Sequence, residues 1–181
     1  MTHAVDTLTV DLEVVLHGVS SPAITRQAFL TFPTGVAAIA GLVDGVPVGM
    51  AVSSFTPVSW DPPLASVCMA VTSTTWPRLR RSGRLGVSVL SHGHQAACRQ
   101  LAARGADRFA GLAWHGVRGG AVLLAGASAW FDCTVAREIR AGDHDLVLLD
   151  VHRLGCDPGT GPLVAHGSRL WRLADRQLEE G

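Results

Sequence analysis

The sequence predicts a mainly β fold, a barrel carrying short helical appendages, on three observations. Short apolar runs recur between turn signals such as Asp44-Gly45 and Ala141-Gly142-Asp143, the punctuation of antiparallel strands. Helical periodicity is confined to two or three brief segments. No G-x-G-x-x-G stands between a strand and a helix, so the usual mark of a doubly wound dinucleotide-binding sheet is missing. Many short strands with few small helices favour a barrel over a doubly wound sheet.

Taken in order, the first element is a helix. Ser21 can cap it, Pro22 sits where a missing N–H costs nothing, and Ile24, Ala28 and Phe29 form an apolar stripe. Pro33-Thr34-Gly35 ends it. Val36 to Leu42 reads as a buried strand, Asp44-Gly45 as a turn, and Val46, Val48, Met50 and Val52 as the returning strand of a hairpin. Ser59-Trp60-Asp61-Pro62-Pro63 reads as a proline-stiffened loop, and Leu64 to Val71 is apolar enough for a central strand.

Thr72 to Thr75 is a hydroxyl-rich turn into a short helix from Trp76 to Ser82. Leu85 to Leu90 alternates as a strand, and His94 to Ala103 is helical in composition up to Gly105. Strands return from Ala121, with Ala127 to Ile139 and Asp145 to Leu154 flanking the turn Ala141-Gly142-Asp143. Gly155 to Gly161 reads as a loop, Pro162 to Ala165 as a short strand, and Ala174 to Glu180 as a polar tail. The expected organisation is an N-terminal arm (1–20), one domain (21–173) and a C-terminal tail (174–181).

Composition narrows the function. A chain of 181 residues fits one domain. Its 48% hydrophobic content exceeds what one core requires, so part of the surplus is expected to cover a second copy in a homo-oligomer. Fifteen basic residues balance fifteen acidic ones, which leaves no overall field for nucleic acid or an anionic membrane. The start has neither a basic region nor an unbroken apolar run, and no stretch approaches the roughly 20 apolar residues of a membrane helix. The expectation is a cytoplasmic protein. Cys68, Cys98, Cys133 and Cys156 lie far apart without a C-x-x-C pair, and four buried thiols are expected rather than disulfides or a zinc site.

Several chemistries lack the residues they need. Gly155, Gly159 and Gly161 follow a strand but lead into Pro162 and another strand, so they are not a phosphate-binding turn. His92 and His94 are close but have no third ligand nearby, and read as surface residues. Asp143-His144-Asp145 could hint at a charge relay, but no G-x-S-x-G elbow supplies a nucleophile. More informative are the hydroxyls at strand ends, Ser53-Ser54 and Ser73-Thr74-Thr75. Hydroxyls and free N–H groups at a helix start can receive a phosphate or carbonyl, although from spacing alone ordinary helix capping is the favoured reading.

Longer motifs settle on a family. Phe32-Pro33-Thr34-Gly35-Val36, the run Gly45 to Phe55, and Ser59-Trp60-Asp61-Pro62-Pro63-Leu64 resemble the flavin reductase-like family. So do Leu79-Arg80-Arg81-Ser82-Gly83, Asp107-Arg108-Phe109, Gly126-Ala127, Ala141-Gly142-Asp143-His144 and Pro162-Leu163. The resemblance runs over roughly residues 24 to 170. It implies a split β-barrel, a homodimer packed barrel to barrel, and FMN or FAD near the interface, reduced by NADH or NADPH for a separate monooxygenase component.

Carried over by position, Met50, Ala51, Val52, Ser53 and Ser54 line the flavin ring and ribityl chain, with Cys68 and Ala70 on the strand beneath. Ser73, Thr74 and Thr75 meet the ribityl phosphate, Ser88, Val89 and Leu90 add backbone contacts, and Thr34 joins the cofactor-binding set. Arg108 and Phe109 belong to the loop closing on the phosphate, although Arg108 could instead pair with Asp107 at the surface. His144 is the implied catalytic position, orienting the nicotinamide. Two departures stand out. Ser88 occupies a position where asparagine is common in the family, and the chain has no tyrosine, with Ala165 where relatives often carry one. Two other readings keep the fold: a flavin enzyme acting directly on an organic biosynthetic substrate, and a non-catalytic flavin-binding module.

Overall fold

The computed structural model describes residues 18, 19, 21–105 and 107–173. Most of the expected N-terminal arm and the whole C-terminal tail lie outside the described residues. In chain order the elements are α1 (Pro22–Leu30), β1 (Thr34–Gly35), β2 (Ala37–Val43), β3 (Val46–Val52), β4 (Thr56–Trp60), β5 (Pro63–Ala70) and α2 (Trp76–Leu79). Then follow β6 (Leu85–Val89), α3 (Gln95–Ala102), β7 (Trp114–Gly116), β8 (Val122–Leu124), β9 (Ala129–Ala141), β10 (His144–Cys156), β11 (Leu163–His166) and β12 (Arg169–Arg172).

Seven strands form one antiparallel sheet in the order β3-β2-β6-β9-β10-β5-β4. Its two end strands, β3 and β4, are consecutive in the chain and joined by only Ser53-Ser54-Phe55, so the sheet must curl until its edges meet. The Ser54 hydroxyl ties the seam: it accepts the Cys68 N–H at 2.9 Å and donates to the Cys68 carbonyl at 3.3 Å.

Period-two alternation sorts β2 between two cores. Ala37, Ile39 and Val43 point into the barrel with Val48, Val52, Val67, Met69, Leu85, Val87, Val147 and Leu149, and the α2 residues Trp76 and Leu79 plug one end. Val36, Ala38 and Ala40 face the other way, against Leu90, Cys98, Leu101, Phe109, Val122, Leu124 and Leu163. Thus β2 is buried on both faces, which explains its unbroken apolar sequence. Each fully buried Leu or Val contributes about 1.5–3 kcal/mol. The small sheet β1-β11-β12 is stitched to the barrel where Val36 N–H donates to the Leu163 carbonyl, Leu163 N–H to Leu90 and Leu90 N–H to Val36.

The mainly β architecture agrees with the sequence reading, and the hairpin β2–β3 falls where expected. Its turn has positive φ at both Asp44 (53°) and Gly45 (79°), the geometry that Asp-Gly favours. Four expectations need correction. The proline-rich segment is a hairpin rather than a loop, because Thr56–Trp60 pairs with β5 and the chain turns at Asp61-Pro62; Pro62 sits in the turn and Pro63 is the first residue of β5, both positions that tolerate proline. Gly155 and Cys156 belong to β10 rather than to the following loop. The four cysteines are free, but only Cys98 and Cys133 are buried, while Cys68 and Cys156 are exposed. Finally, β7, β8 and β12 were not anticipated, being three or four residues long with no clear alternation.

The helix α1 begins at Pro22 as expected, but the Ser21 side chain makes no capping hydrogen bond and no residue of α1 is buried. Ile24 and Phe29 remain exposed, as does the adjacent Phe32.

Candidate functional site

The ends of β3 and β5, the turn that follows β5, and the C-terminal end of α3 surround two adjoining clefts. The first, about 530 Å³, is lined by Met50, Ala51, Ala70, Thr72, Ser73, Thr74 and Thr75 on one side and by Leu101, Ala102, Arg104, Gly105 and Arg108 on the other. The second, about 600 Å³, lies along the N-terminal part of β3 and shares Thr74, Thr75, Gly105 and Arg108 with the first. Both fall within the range of about 300–1,000 Å³ usual for small-molecule sites.

Arg108 stands where the clefts meet. Its Nε donates to the Ala103 carbonyl at 2.7 Å, and its Nη1 to the Gly49 carbonyl at 3.1 Å and the Thr75 hydroxyl at 2.8 Å. These bonds fix the guanidinium while Nη2 keeps no partner among the described residues. The surface pair with Asp107 does not form: the Asp107 carboxylate accepts the Phe109 N–H at 3.0 Å. Gln100 donates from its amide to the Arg108 and Ala110 carbonyls, and Phe109 is buried in the outer core, so the loop is anchored on both sides of the arginine.

The hydroxyl turn has two duties. Ser73 Oγ accepts the Trp76 N–H at 3.1 Å, which is the capping role weighed from the sequence, whereas Thr75 makes no cap bond and accepts from Arg108 instead. Because α2 has only four residues, its dipole contributes little, and hydroxyls and guanidinium groups carry the polarity of the site. His144 starts β10 directly opposite Ala70, a lining residue of the first cleft. Its Nδ1 lies 2.8 Å from the Asp143 carboxylate, and that hydrogen bond holds the Asp143 carboxyl below its ordinary range. The imidazole is thereby oriented with Nε2 left without a partner among the described residues.

Seven of the residues expected from the sequence therefore line one cleft: Met50, Ala51, Ala70, Ser73, Thr74, Thr75 and Arg108. Phe109 lines the second. Ser54 and Cys68 are bonded to each other where the β3–β4 connection meets β5, and neither they nor Ser53 line either cleft. Val52 points into the barrel core, and Thr34 pairs with Ala165 in the small sheet. Ser88 is buried with its hydroxyl accepting the Leu124 N–H at 3.0 Å. The Val89 carbonyl accepts from Ser128, and both backbone groups of Leu90 are engaged by Val36 and Leu163; these three residues frame the barrel rather than line the clefts.

Sequence reasoning overlooked Thr72, Leu101, Ala102, Arg104 and Gly105 and the Val46–Gly49 wall of the second cleft. Arg104 and Gly105 could have been found from their nearness to Asp107-Arg108-Phe109, but Leu101 and Ala102 read as ordinary helix residues. His92 and His94 are half-buried rather than surface residues: His92 Nδ1 lies 3.2 Å from the Gly161 carbonyl, and His94 is held between Ser91 and the Ala125 carbonyl.

The lining fits a flavin nucleotide. Met50, Ala51, Ala70, Leu101 and Ala102 offer apolar walls for a ring, and the hydroxyls with Arg104 and Arg108 offer donors for a ribityl phosphate. Comparison with known proteins agrees. Residues 29–174 match the family described as flavin reductase like domain. The chain is 36% identical over 141 residues to the flavin reductase of Pseudomonas putida, covering 77% of this chain and 83% of that protein. It is 38% identical over 130 residues to the flavin-dependent monooxygenase reductase subunit HsaB of Rhodococcus jostii, covering 70% and 67%. Among solved structures, the NADH:FAD oxidoreductase SgcE6 of Streptomyces globisporus superposes with a TM-score of 0.81 at 33% identity, over 88% of this chain and 98% of that one. Sequence motifs, barrel topology and cleft chemistry thus converge, and the chain belongs to the flavin reductase-like family of oxidoreductases that work with flavin and nicotinamide nucleotides.

Proposed function

We propose that this protein moves hydride from NADH or NADPH to FMN or FAD seated in the first cleft, and that the reduced flavin serves a separate monooxygenase component. The observation that carries the reading is the placement of Arg108, fixed by three hydrogen bonds beside an apolar cleft edged with hydroxyls. When bound, the flavin supplies the hydride acceptor. The chain's own work is binding, orientation and exclusion of water, which suits a reaction needing no strong base.

Arg108 and Arg104 neutralise the phosphate end, Ser73, Thr74 and Thr75 accept and donate hydrogen bonds along the ribityl chain, and Met50, Ala51 and Ala70 bear on the ring. His144, oriented by Asp143, positions the nicotinamide through its Nε2, which has no partner among the described residues. The protein acts as a cytoplasmic homodimer. Support for the dimer comes from Val71 and Ile139, exposed at 43% and 44% near the β5–β10–β9 face, and from the uncovered α1. None of the helices is long and apolar enough to cross a membrane, among the described residues.

Steady-state NAD(P)H oxidation over the four combinations of NADH or NADPH with FMN or FAD tests the reading. Turnover with at least one pair is expected, and none with any pair overturns it. Tight flavin retention with oxidation only upon addition of an organic substrate would instead indicate an enzyme acting directly on that substrate. Flavin binding without hydride transfer would indicate a binding module. Light scattering of the purified chain decides the dimer.

A further inference from the structure

We propose that Gln100, which lines neither cleft, is the positioning residue that holds Arg108 in place for the flavin phosphate and so sets how fast flavin leaves. This rests on the reading of the first cleft as the flavin site. Three observations carry it.

The first is the tie itself. Gln100 is half-buried on α3, and its Nε2 donates to the Arg108 carbonyl at 3.3 Å and to the Ala110 carbonyl at 2.8 Å. Both partners are carbonyl oxygens, so only a donor can sit between them. Cys98 and Leu101 of the same helix are buried in the outer core. The amide therefore fastens the loop to an element that is itself fixed.

The second is that the loop has no equivalent tie among the described residues. Its other backbone bonds between 107 and 112 are local: Phe109 N–H donates to the Asp107 carboxylate, Ala110 N–H to the Asp107 carbonyl at 3.4 Å and Leu112 N–H to the Phe109 carbonyl at 3.0 Å. These bonds shape the turn without placing it against α3 or β3. The Phe109 ring does reach the outer core, but apolar contact is non-directional. A hydrogen bond fixes where the Arg108 carbonyl points.

The third is how much Arg108 requires of its backbone. Its Nε and Nη1 reach oxygens on three separate segments: Ala103 at the end of α3, Gly49 on β3 and Thr75 after β5. Hydrogen bonds weaken steeply as they stretch and bend, so a shift of about 1 Å in the Arg108 backbone cannot keep all three. A guanidinium released from them must be ordered again each time a phosphate binds, at a cost in affinity. Met50, Ala51 and Ala70, which bear on the ring, would be untouched. A reductase that hands its flavin to another protein must let it go, and a phosphate grip adjusted through Gln100 acts on release and not on hydride transfer.

The experiment is a double-mutant cycle on the full chain, with Gln100→Met, Arg108→Ala and the double variant titrated by fluorescence with FMN and with riboflavin. Gln100→Met is expected to raise the FMN Kd by about five- to ten-fold, through faster dissociation, with the riboflavin Kd near wild type. In the Arg108→Ala background it should add nothing, because such non-additivity marks two residues acting as one. The single-turnover rate of reduction of bound FMN should stay at the wild-type value while the KM for FMN rises. Additive losses, an equal loss for riboflavin, or an unchanged FMN Kd overturn the positioning role and leave the flavin reading intact. Wild type binding neither flavin removes the flavin reading itself, and the positioning role with it. Should Gln100→Met fail to fold, Gln100→Asn, which keeps the amide but is one methylene shorter, enters the same cycle with the same expectations.

Discussion

The Arg108 guanidinium donates to the Thr75 hydroxyl at 2.8 Å across the junction of the two clefts, linking residues 33 positions apart in the chain. Thr75 belongs to the turn after β5 and Arg108 to the loop after α3, so the bond closes the site between two separate segments. It also leaves Nη2 without a partner among the described residues, an arrangement suited to receiving an anion rather than to stabilising the fold alone.

Arg108→Ala should therefore weaken FMN or FAD binding by about 10- to 100-fold, the value of one or two charge-assisted hydrogen bonds. Riboflavin, which has no phosphate, should lose much less. Titration with riboflavin alongside the phosphorylated flavins makes the check, and an equal loss for all would mean that Arg108 acts by shaping the cleft.

His144→Ala should lower the rate of NAD(P)H oxidation by about ten-fold or more while leaving the flavin Kd unchanged, as the proposed role of the imidazole in orienting the hydride donor requires. Stopped-flow reduction of bound flavin measures this directly. Asp143→Asn should produce a smaller loss of the same kind, because it keeps a hydrogen-bonding side chain but no longer a carboxylate.

Asp132 ties β9 to β10 and to the residue before β6: its buried carboxylate meets Arg84 Nη2 at 2.6 Å and Arg153 Nε at 2.8 Å. Burial pushes the Asp132 carboxyl up, but hydrogen bonds from Arg84 and Arg153 outweigh burial and hold it below its ordinary range. A lowered folded pKa contributes stability that is present above the unfolded value of about 3.9 and is lost as pH falls through the folded value. Acid unfolding should therefore steepen below about pH 4. Asp132→Asn should cost about 3 kcal/mol at neutral pH and flatten that acid limb, as read by urea midpoints across pH.

Gly86→Ala should be among the most disruptive small substitutions. A Cβ there would run into the Val122 carbonyl and the Leu123 side chain, where β8 lies directly over β6. A loss of about 3 kcal/mol or more is expected, seen as a depressed Tm or failure to accumulate folded protein.

What could be read from the sequence was whatever local chemistry decides. Asp44-Gly45 selects a tight turn through its own backbone preferences, the doubly buried β2 declares itself by a continuous apolar run, and Ser73 caps α2 from three residues away. Recurring motifs, each local, identified the flavin reductase-like family and seven of the residues that share the first cleft. Other features depended on partners distant in the chain. Thr56–Trp60 is a strand only because β5 offers it a ladder, and the thiols of Cys68 and Cys133 differ because one faces outward from the barrel wall and the other inward. That inward burial pushes the Cys133 thiol up to about 12. Ser88, expected beside the flavin, is claimed by the Leu124 N–H.

The Val46–Gly49 wall of the second cleft was invisible for the same reason. Val46, Arg78 and Arg108 carry no shared spacing, and they come together only when the sheet curls and the loop after α3 folds back onto β3. Turns, caps and strand periods follow from interactions within a few residues and are therefore written in the sequence itself. A cavity is the space left between elements after packing, and here only the tertiary structure determined its walls, its depth and the direction in which its arginines point.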